Sequence, residues 1–518
     1  MQPTDGSPGP ASSSGVPAGL AQQVVAVGHG AGWEQATALI GLHWDEYAAT
    51  APQQLLDAIG ALPGKVLLEN SGLVVAASYL RQVAGNTDPH RFDRDGRLPA
   101  FPIPEGGRIP EQLILLTSTA ANARTHGDVA RARDAAQEAR RRLADAAADP
   151  AQAADLEDAK GNLPHLFVQW GRALEASDTD GASFEYEEAH HAAIVTDQPQ
   201  IARRAAGSLA WFHAERGRPN LAAEWLERAW AAGVPNARYE AVNHLAAALI
   251  ALERDDRQAA GVELARLRAY PIGEYWAAAL WLRAFHSAEP AEATLVENEV
   301  AEELDRHRAD QLGPVDARYL RAAKLTLGIG DASLSPTQPT PYDGLLDAVE
   351  AYTRGAFAEV LDFARAPAEL AGTPRVRSNA LLVSAVAALA LEDHRLARQH
   401  FERGAAILQA EGMTTPYRLL PPDVLAHFTE STGVPVPVTA QNETAATPMA
   451  LGSLTDRERQ ILGLLTTRAS FPQIAADLFI SPNTVKTAAQ RLYRKLNVNS
   501  RHEAAELARR AGIRPDRQ

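Results

Sequence analysis

Close to the C-terminal end of the sequence, Asn483, Thr484, Lys486, Thr487, Gln490, Arg491 and Arg494 follow one another at a spacing that suits recognition rather than bond-making. At about 100° of turn per residue, Asn483, Lys486, Thr487, Gln490 and Arg494 share one helix face, while Val485, Ala489, Leu492 and Leu496 share the opposite one. A lysine can donate to guanine, a glutamine can pair with adenine through both amide atoms, and a threonine methyl can touch the methyl of thymine. Nothing comparable points to catalysis. The closest approach to a phosphate-binding loop is Gly64-Lys65-Val66, with Ile59 where the first glycine belongs and no following hydroxyl. Glu187, His190 and His191 could be imagined around a metal ion, but adjacent histidines on a helix point about 100° apart, so a packed or solvated role is expected. The sequence has no cysteine, which removes thiolate nucleophiles, disulfides and cysteine-held zinc together. No catalytic residue, cofactor site or metal site is therefore expected, and the chain reads as a protein that is not an enzyme.

A cationic helix face needs a frame to present it. Thr455 with Glu458, Ser470 with Gln473, and Ser500 with Glu503 are spaced as helix caps, and Pro482 is placed as a first helical residue. Ile461, Leu462, Leu464 and Leu465 give the first helix a buried stripe, and Ile474, Ala475 and Leu478 give one to the second, about 472–479. Ile480 and Ser481 make a tight connection into the third helix, so that the second and third form an elbow, and a fourth helix ends at Gly512.

The segments LTDRERQILGLL, QIAADLFISPNTVK and KLNVNSRHEAAELA resemble, in order and spacing, the LuxR-type helix-turn-helix domain of bacterial transcription regulators. The resemblance implies a four-helix domain that dimerises through its last helix and binds a short inverted repeat in double-stranded promoter DNA. It implies base-reading positions at Lys486, Thr487 and Gln490, with Thr484 and Arg494 near the backbone and Asn483 and Arg491 on the same surface. RNA polymerase is a further implied partner. The family commonly has Gly where Arg468 stands, Asn-Lys-Glu where Phe471, Pro472 and Gln473 stand, and His where Ala488 stands. Loss of that lysine is expected to remove a phosphate contact.

The rest of the chain differs in charge and pattern. From Leu451 onward there are 12 Lys and Arg against 6 Asp and Glu, whereas the preceding residues hold 38 against 58, so a module at +6 follows a region at −20. That division suggests a polyanion-binding unit on an acidic body. Residues 1–21, rich in Pro, Gly and Ser, read as a disordered tail. Residues 22–429 carry a helical pattern throughout, interrupted by loops at 86–110 and 328–341. Residues 430–450 read as a linker, and 451–518 as the DNA-binding unit.

Within the helical region small residues recur. Ala120, Gly127, Ala132 and Ala139 have spacings that Ala210, Gly217, Ala222 and Ala229 reproduce, and Ala248, Asp255 and Ala260 follow. Ala385, Glu392, Ala397 and Gly404 keep the pattern with an acidic turn residue, and Ala348 with Gly355 begins a copy that changes at Val360. This resembles tetratricopeptide repeats, in which small side chains let paired antiparallel helices approach. Trp170, Trp211, Trp225, Trp230, Trp276 and Trp281 are expected to fill the spaces between helix pairs.

The fold expected is all-α: a tetratricopeptide-like helical-repeat solenoid followed by a four-helix LuxR-type domain. The function expected is that of a cytoplasmic transcription regulator whose body senses a small-molecule or protein effector and which binds DNA as a homodimer. It has no expected membrane partner, no apolar run long enough to span a bilayer and no leader pattern. The alternative is an interaction scaffold or co-regulator that binds DNA weakly. A sigma-factor-like promoter reader is disfavoured by the Ser500–Ala508 segment.

Overall fold

Alanine and glycine at matched heights let two helices pack closely, and the body is assembled from such pairs. The computed structural model describes residues 19–44, 47, 51–63, 66, 73, 77, 108–437 and 451–513, apart from 126, 234, 236–239, 271, 288–289, 307–311, 328–340, 366–371, 452–453, 468, 497, 499 and 511–512. Among the described residues there is no strand. Helices α1 (Leu20–Gly30), α2 (Trp33–Leu42) and α3 (Pro52–Gly60) gather around Leu20, Val24, Ile40 and Leu55. A larger core runs from Ile109 to Val436 and a third from Leu451 to Ala508.

The larger core begins with α4 (Ile109–Thr125) and α5 (Val129–Ala148), then the short α6 (Ala153–Ala159). It continues through α7 (Leu163–Leu174), α8 (Thr179–Val195), α9 (Pro199–Glu215), α10 (Pro219–Ala231), α11 (Glu240–Glu253) and α12 (Arg257–Arg266). Then come α13 (Trp276–His286), α14 (Pro290–Arg306), α15 (Pro314–Thr326), α16 (Pro341–Thr353), α17 (Phe357–Arg365), α18 (Pro374–Ala390), α19 (His394–Glu411) and α20 (Pro422–Thr432). Consecutive helices pack as hairpins: α4 with α5, α7 with α8, α9 with α10, α11 with α12, α16 with α17, and α18 with α19.

The recurring small residues sit where those hairpins touch. Ala120, Ala132 and Ala139, then Ala210, Ala222 and Ala229, then Ala248 and Ala260, and finally Ala385 and Ala397 are all buried. Each turn residue between them, Gly127, Gly217, Asp255, Gly355 or Glu392, has positive φ. That backbone region is open to glycine and is strained for most other residues, so the pattern marks a turn geometry as much as a packing surface. In the pair α7/α8 the same spacing falls on Trp170, Ser177, Ala182 and Ala189, so neither a small residue on the first helix nor a turn glycine marks it. Gly171, Ala182 and Ala189 still provide its close contacts, and a Cβ on Gly171 would lie 2.8 Å from the ring of Tyr186.

The hairpins are cross-tied by polar groups that the sequence pattern did not flag. Arg375, at the start of α18, donates to the carbonyls of Ala214 and Glu215 at the end of α9, both at 2.8 Å, and its Nη1 pairs with Glu253 at 2.6 Å. Glu253, fully buried, also accepts from the Thr414 and Thr415 amides at 3.1 Å and from the Thr415 hydroxyl at 2.7 Å. Four stretches far apart in sequence are thereby held around one ion pair.

Several expectations need correction. Leu20 and Ala21, assigned to the disordered tail of 1–21, belong to α1, because Leu20 has an apolar core to enter; 1–18 lie outside the described residues. Helix α4 starts at Ile109, so Pro110 opens a helix rather than closing a loop. Helix α20 continues to Thr432 and stops at Gly433 in the left-handed region, after which Val436 is buried, so the start of the expected linker at 430–450 belongs to the body; 438–450 lie outside the described residues. Trp170, Trp211, Trp225, Trp276 and Trp281 are buried, but Trp230 on α10 is 46% exposed. His190 is packed, edge-on to Trp225 and 3.0 Å from the Ala202 carbonyl. Gly64 and Lys65 lie outside the described residues.

Candidate nucleic-acid interface

The third core is built from α21 (Asp456–Leu465), α22 (Phe471–Asp477), α23 (Pro482–Lys495) and α24 (Arg501–Arg510). Local signals start each helix. The Thr455 hydroxyl accepts from the Glu458 amide at 3.2 Å while the Glu458 carboxylate accepts from the Thr455 amide at 2.8 Å, which closes a capping box. Gln473 accepts from the Ser470 amide at 2.7 Å, the Ser481 hydroxyl accepts from the Thr484 amide at 3.0 Å, and the Ser500 hydroxyl accepts from the Glu503 amide at 3.1 Å. Between α22 and α23 the chain turns through Phe479, whose φ is +53° and whose side chain is 89% exposed. Arg457 on α21 steadies that turn by donating to the Leu478 carbonyl at 2.6 Å.

Helix α23 is two-faced. Val485, Ala489, Leu492 and Leu496 are buried, while Asn483, Thr484, Lys486, Thr487, Gln490, Arg491 and Arg494 are all exposed. Asn483, Thr487, Gln490 and Arg494 run down the centre of the outward face, with Lys486 on one flank and Thr484 and Arg491 on the other. At 1.5 Å per residue the helix is roughly 20 Å long, a length that a major groove can accept end-on. Two hydroxyls on this face are already engaged: Thr484 with Ser481 at 2.7 Å and Thr487 with the Asn483 carbonyl at 2.9 Å. That leaves the Thr487 methyl as its free group.

The inner ends of α23 and α24 are tied to the frame. Lys495 pairs with Glu458 at 3.0 Å. Burial pushes the Glu458 carboxyl up, but the Thr455 amide and Lys495 outweigh it and hold the group below its ordinary value. Arg501 donates to the Thr467 carbonyl at 2.9 Å and stands 5.9 Å over the Phe471 ring. Arg457 and Arg501 were not singled out from the sequence. A residue that donates to a carbonyl across a turn has no spacing rule that would mark it in the sequence. Arg459 donates to the Thr353 carbonyl at 3.1 Å, at the turn after α16. Arg468, where the family pattern departs, lies outside the described residues; Phe471, Pro472 and Gln473 form the first turn of α22.

Residues 452–508 match the family described as bacterial regulatory proteins, luxR family. The C-terminal module is a luxR-type helix-turn-helix domain. It is 47% identical over 57 residues to a probable transcriptional regulatory protein NarL of Mycobacterium tuberculosis. It is 54% identical over 57 residues to a nitrate/nitrite response regulator protein homolog of Haemophilus influenzae, and 46% identical over 55 residues to the transcriptional regulator MalT of Vibrio cholerae. Each match covers 11% of this chain, and respectively 26%, 27% and 6% of the relative. The chain thus matches about a quarter or less of the length of these relatives. Among the described residues no helix is long and apolar enough to cross a membrane, and no cluster of side chains could hold a metal ion.

Proposed function

We propose that this luxR-type regulator is a bacterial, cytoplasmic transcription factor that binds double-stranded promoter DNA as a homodimer, inserting α23 into the major groove. Residues 451–518 form its DNA-binding unit, and the helices from α1 to α20 form a tetratricopeptide-like body that responds to an effector. The observation that carries this reading is the outward face of α23: seven polar residues exposed together, on a helix whose other face is wholly consumed by the core of a luxR-type domain. Lys486, Thr487 and Gln490 read bases; Thr484, Arg491 and Arg494 meet the backbone; and Asn483 opens the helix at the groove edge. Dimerisation through α24 repeats these contacts on two half-sites, and RNA polymerase is met at the promoter. Footprinting the full chain on the DNA upstream of its own gene is the test. A protected inverted repeat is expected, and uniform weak retention of unrelated DNA would favour the scaffold reading instead.

A further inference from the structure

Carbonyls in the last turn of a helix have no partner within that helix, and the end they form is its negative pole. In the α16–α17 hairpin most of them are met by the turn itself: the amides of Arg354, Gly355 and Ala356 donate to the carbonyls of Glu350, Tyr352 and Ala351 at 3.1, 2.9 and 2.9 Å. The carbonyl of Thr353, two residues before Gly355, is met instead by a side chain, Nη1 of Arg459, at 3.1 Å.

The same position is met in the same way in three other hairpins. The Glu175 carbonyl, two residues before Ser177, accepts from Arg216 Nη2 at 2.6 Å. The Glu215 carbonyl, two residues before Gly217, accepts from Arg375 Nε at 2.8 Å, and the Glu253 carbonyl, two residues before Asp255, accepts from the Thr414 hydroxyl at 2.6 Å. None of these donors belongs to the hairpin that it caps. Three of the four lie in the body and tie one part of the stack to another. The fourth, Arg459, lies in the C-terminal module, one turn into α21.

The surroundings of Arg459 confirm that it lies against this turn. A Cβ on Gly355 would stand 3.5 Å from its Nη2, the nitrogen that also donates to the Leu451 carbonyl at 3.2 Å. Arg459 is half-buried, and burial pushes its guanidinium below the ordinary value against the pull of Asp456 and of Tyr352, the latter on α16. Arg375 has Glu253 beside it, whereas Arg459 has no ion pair among the described residues. Its hold consists of charge-assisted bonds to two carbonyls, one on each side of the contact. With the module so placed, the seven polar residues of α23 remain exposed, as do His502 and Arg509 on α24.

We propose that the module docks on the body as one more member of its helix stack, held by Arg459 at the α16–α17 turn, and that this docked pose is the one presented to DNA. The body then aims α23 instead of covering it, and the α16–α17 hairpin is the element through which a change in the body reaches the module. The consequence for DNA rests on the regulator reading; the docking does not.

The chain has no cysteine, so two introduced thiols can carry spin labels at unique positions. His394, at the start of α19, and Asp477, at the end of α22, are exposed, and His394→Cys with Asp477→Cys in the full chain reports the distance between body and module. Pulsed electron paramagnetic resonance is expected to give one narrow distance. Arg459→Gln is expected to widen that distribution at least about twofold, as for a module on a flexible tether. Circular dichroism and calorimetric unfolding establish that the variant is folded. A broad distribution in the labelled protein with Arg459 intact overturns the docking whatever the variant does. A folded Arg459→Gln protein that keeps the narrow distance overturns Arg459 as the tie. Adding a duplex that the full chain protects in footprinting is expected to leave the distance unchanged, and a broadened or shifted distance on that duplex overturns the docked pose as the one that meets DNA. If no duplex is protected, the regulator reading fails, while the distances without DNA still decide the docking.

Discussion

In the body, Arg203, Arg321 and Arg375 are buried and each grips acidic or carbonyl groups of another helix; in the C-terminal module, Arg491 and Arg494 stand exposed on α23. Arg203, for example, makes a two-pronged pair with Glu240 at 2.6 and 2.9 Å. The same side chain is a tie in one region and a free contact in the other. The difference follows from what each region must close. A stack of helix pairs leaves polar ends of helices facing one another, and a planar guanidinium can satisfy several carbonyls and a carboxylate at once. A four-helix domain of about 60 residues closes mainly with apolar side chains and local caps; Arg457 and Arg501 serve as ties there too, but Arg491 and Arg494 on α23 are left available. Charge in the body is therefore expected to govern stability, and charge on α23 to govern binding.

The largest effect tests the body side of that contrast. Glu253→Ala leaves Arg375 buried without its carboxylate and frees the Thr414 and Thr415 amides, so it should cost about 3–5 kcal/mol in denaturant unfolding. Arg494→Ala in the same assay should leave stability within about 0.5 kcal/mol. A Glu253→Ala loss no larger than that of Arg494→Ala would break the comparison.

A pH titration sharpens it further. His213 is buried among helices of the body, and burial, with Arg218 and Arg216 nearby, pushes it down to about 4. The unfolded chain takes up that proton near its ordinary value, so the contribution is complete above about pH 6.5 and is lost as pH falls from there towards about 4, amounting to about 3 kcal/mol at most. Glu458 runs in the module with a smaller reach: its depressed carboxyl stabilises the capping box above its unfolded value, and that support is lost as pH falls through the folded one. Unfolding curves of the wild type and His213→Gln across this window should converge at acid pH. Parallel curves would show that another group carries the dependence.

On the binding side, Gln490→Ala should lower discrimination at one symmetric pair of bases by about 1–3 kcal/mol, whereas Arg494→Ala should weaken all sequences alike. Selection from a random-sequence library distinguishes the two, and an unchanged motif with Gln490→Ala would remove this residue from base reading. The smallest effect is expected at Phe479. A phenylalanine at φ +53° with an exposed ring gains nothing from packing, so Phe479→Gly should stabilise the module by up to about 1 kcal/mol, measured by thermal unfolding. A destabilised Phe479→Gly protein would mean that the ring has a partner in solution.

Much of the module was legible because its signals are local. Thr455 with Glu458, Pro482, and the alternation of Val485, Ala489 and Leu492 against Lys486 and Gln490 each act within a few residues, so helix starts and faces follow from spacing alone. The hairpins of the body were legible for the same reason where Gly127, Gly217 and Asp255 stood at a regular turn, and illegible at α7/α8, where Trp170 and Ser177 occupy the positions that elsewhere hold alanine and the turn residue. Trp230 departs from the expectation because hydrophobicity predicts burial only on average.

The sequence by itself determined the all-α class, the paired-helix rhythm of the body, the luxR-type module and the outward face of α23, since each depends on periodicity or on contacts within one or two helical turns. Tertiary structure alone decided that Arg375 joins Glu253 to the end of α9, that Arg457 holds the turn before α23, and that Arg459 meets the carbonyl of Thr353. Those groupings draw on residues separated by tens to hundreds of positions. No sequence period relates them, and their energies arise only when stacking removes water from between charges that are remote along the chain.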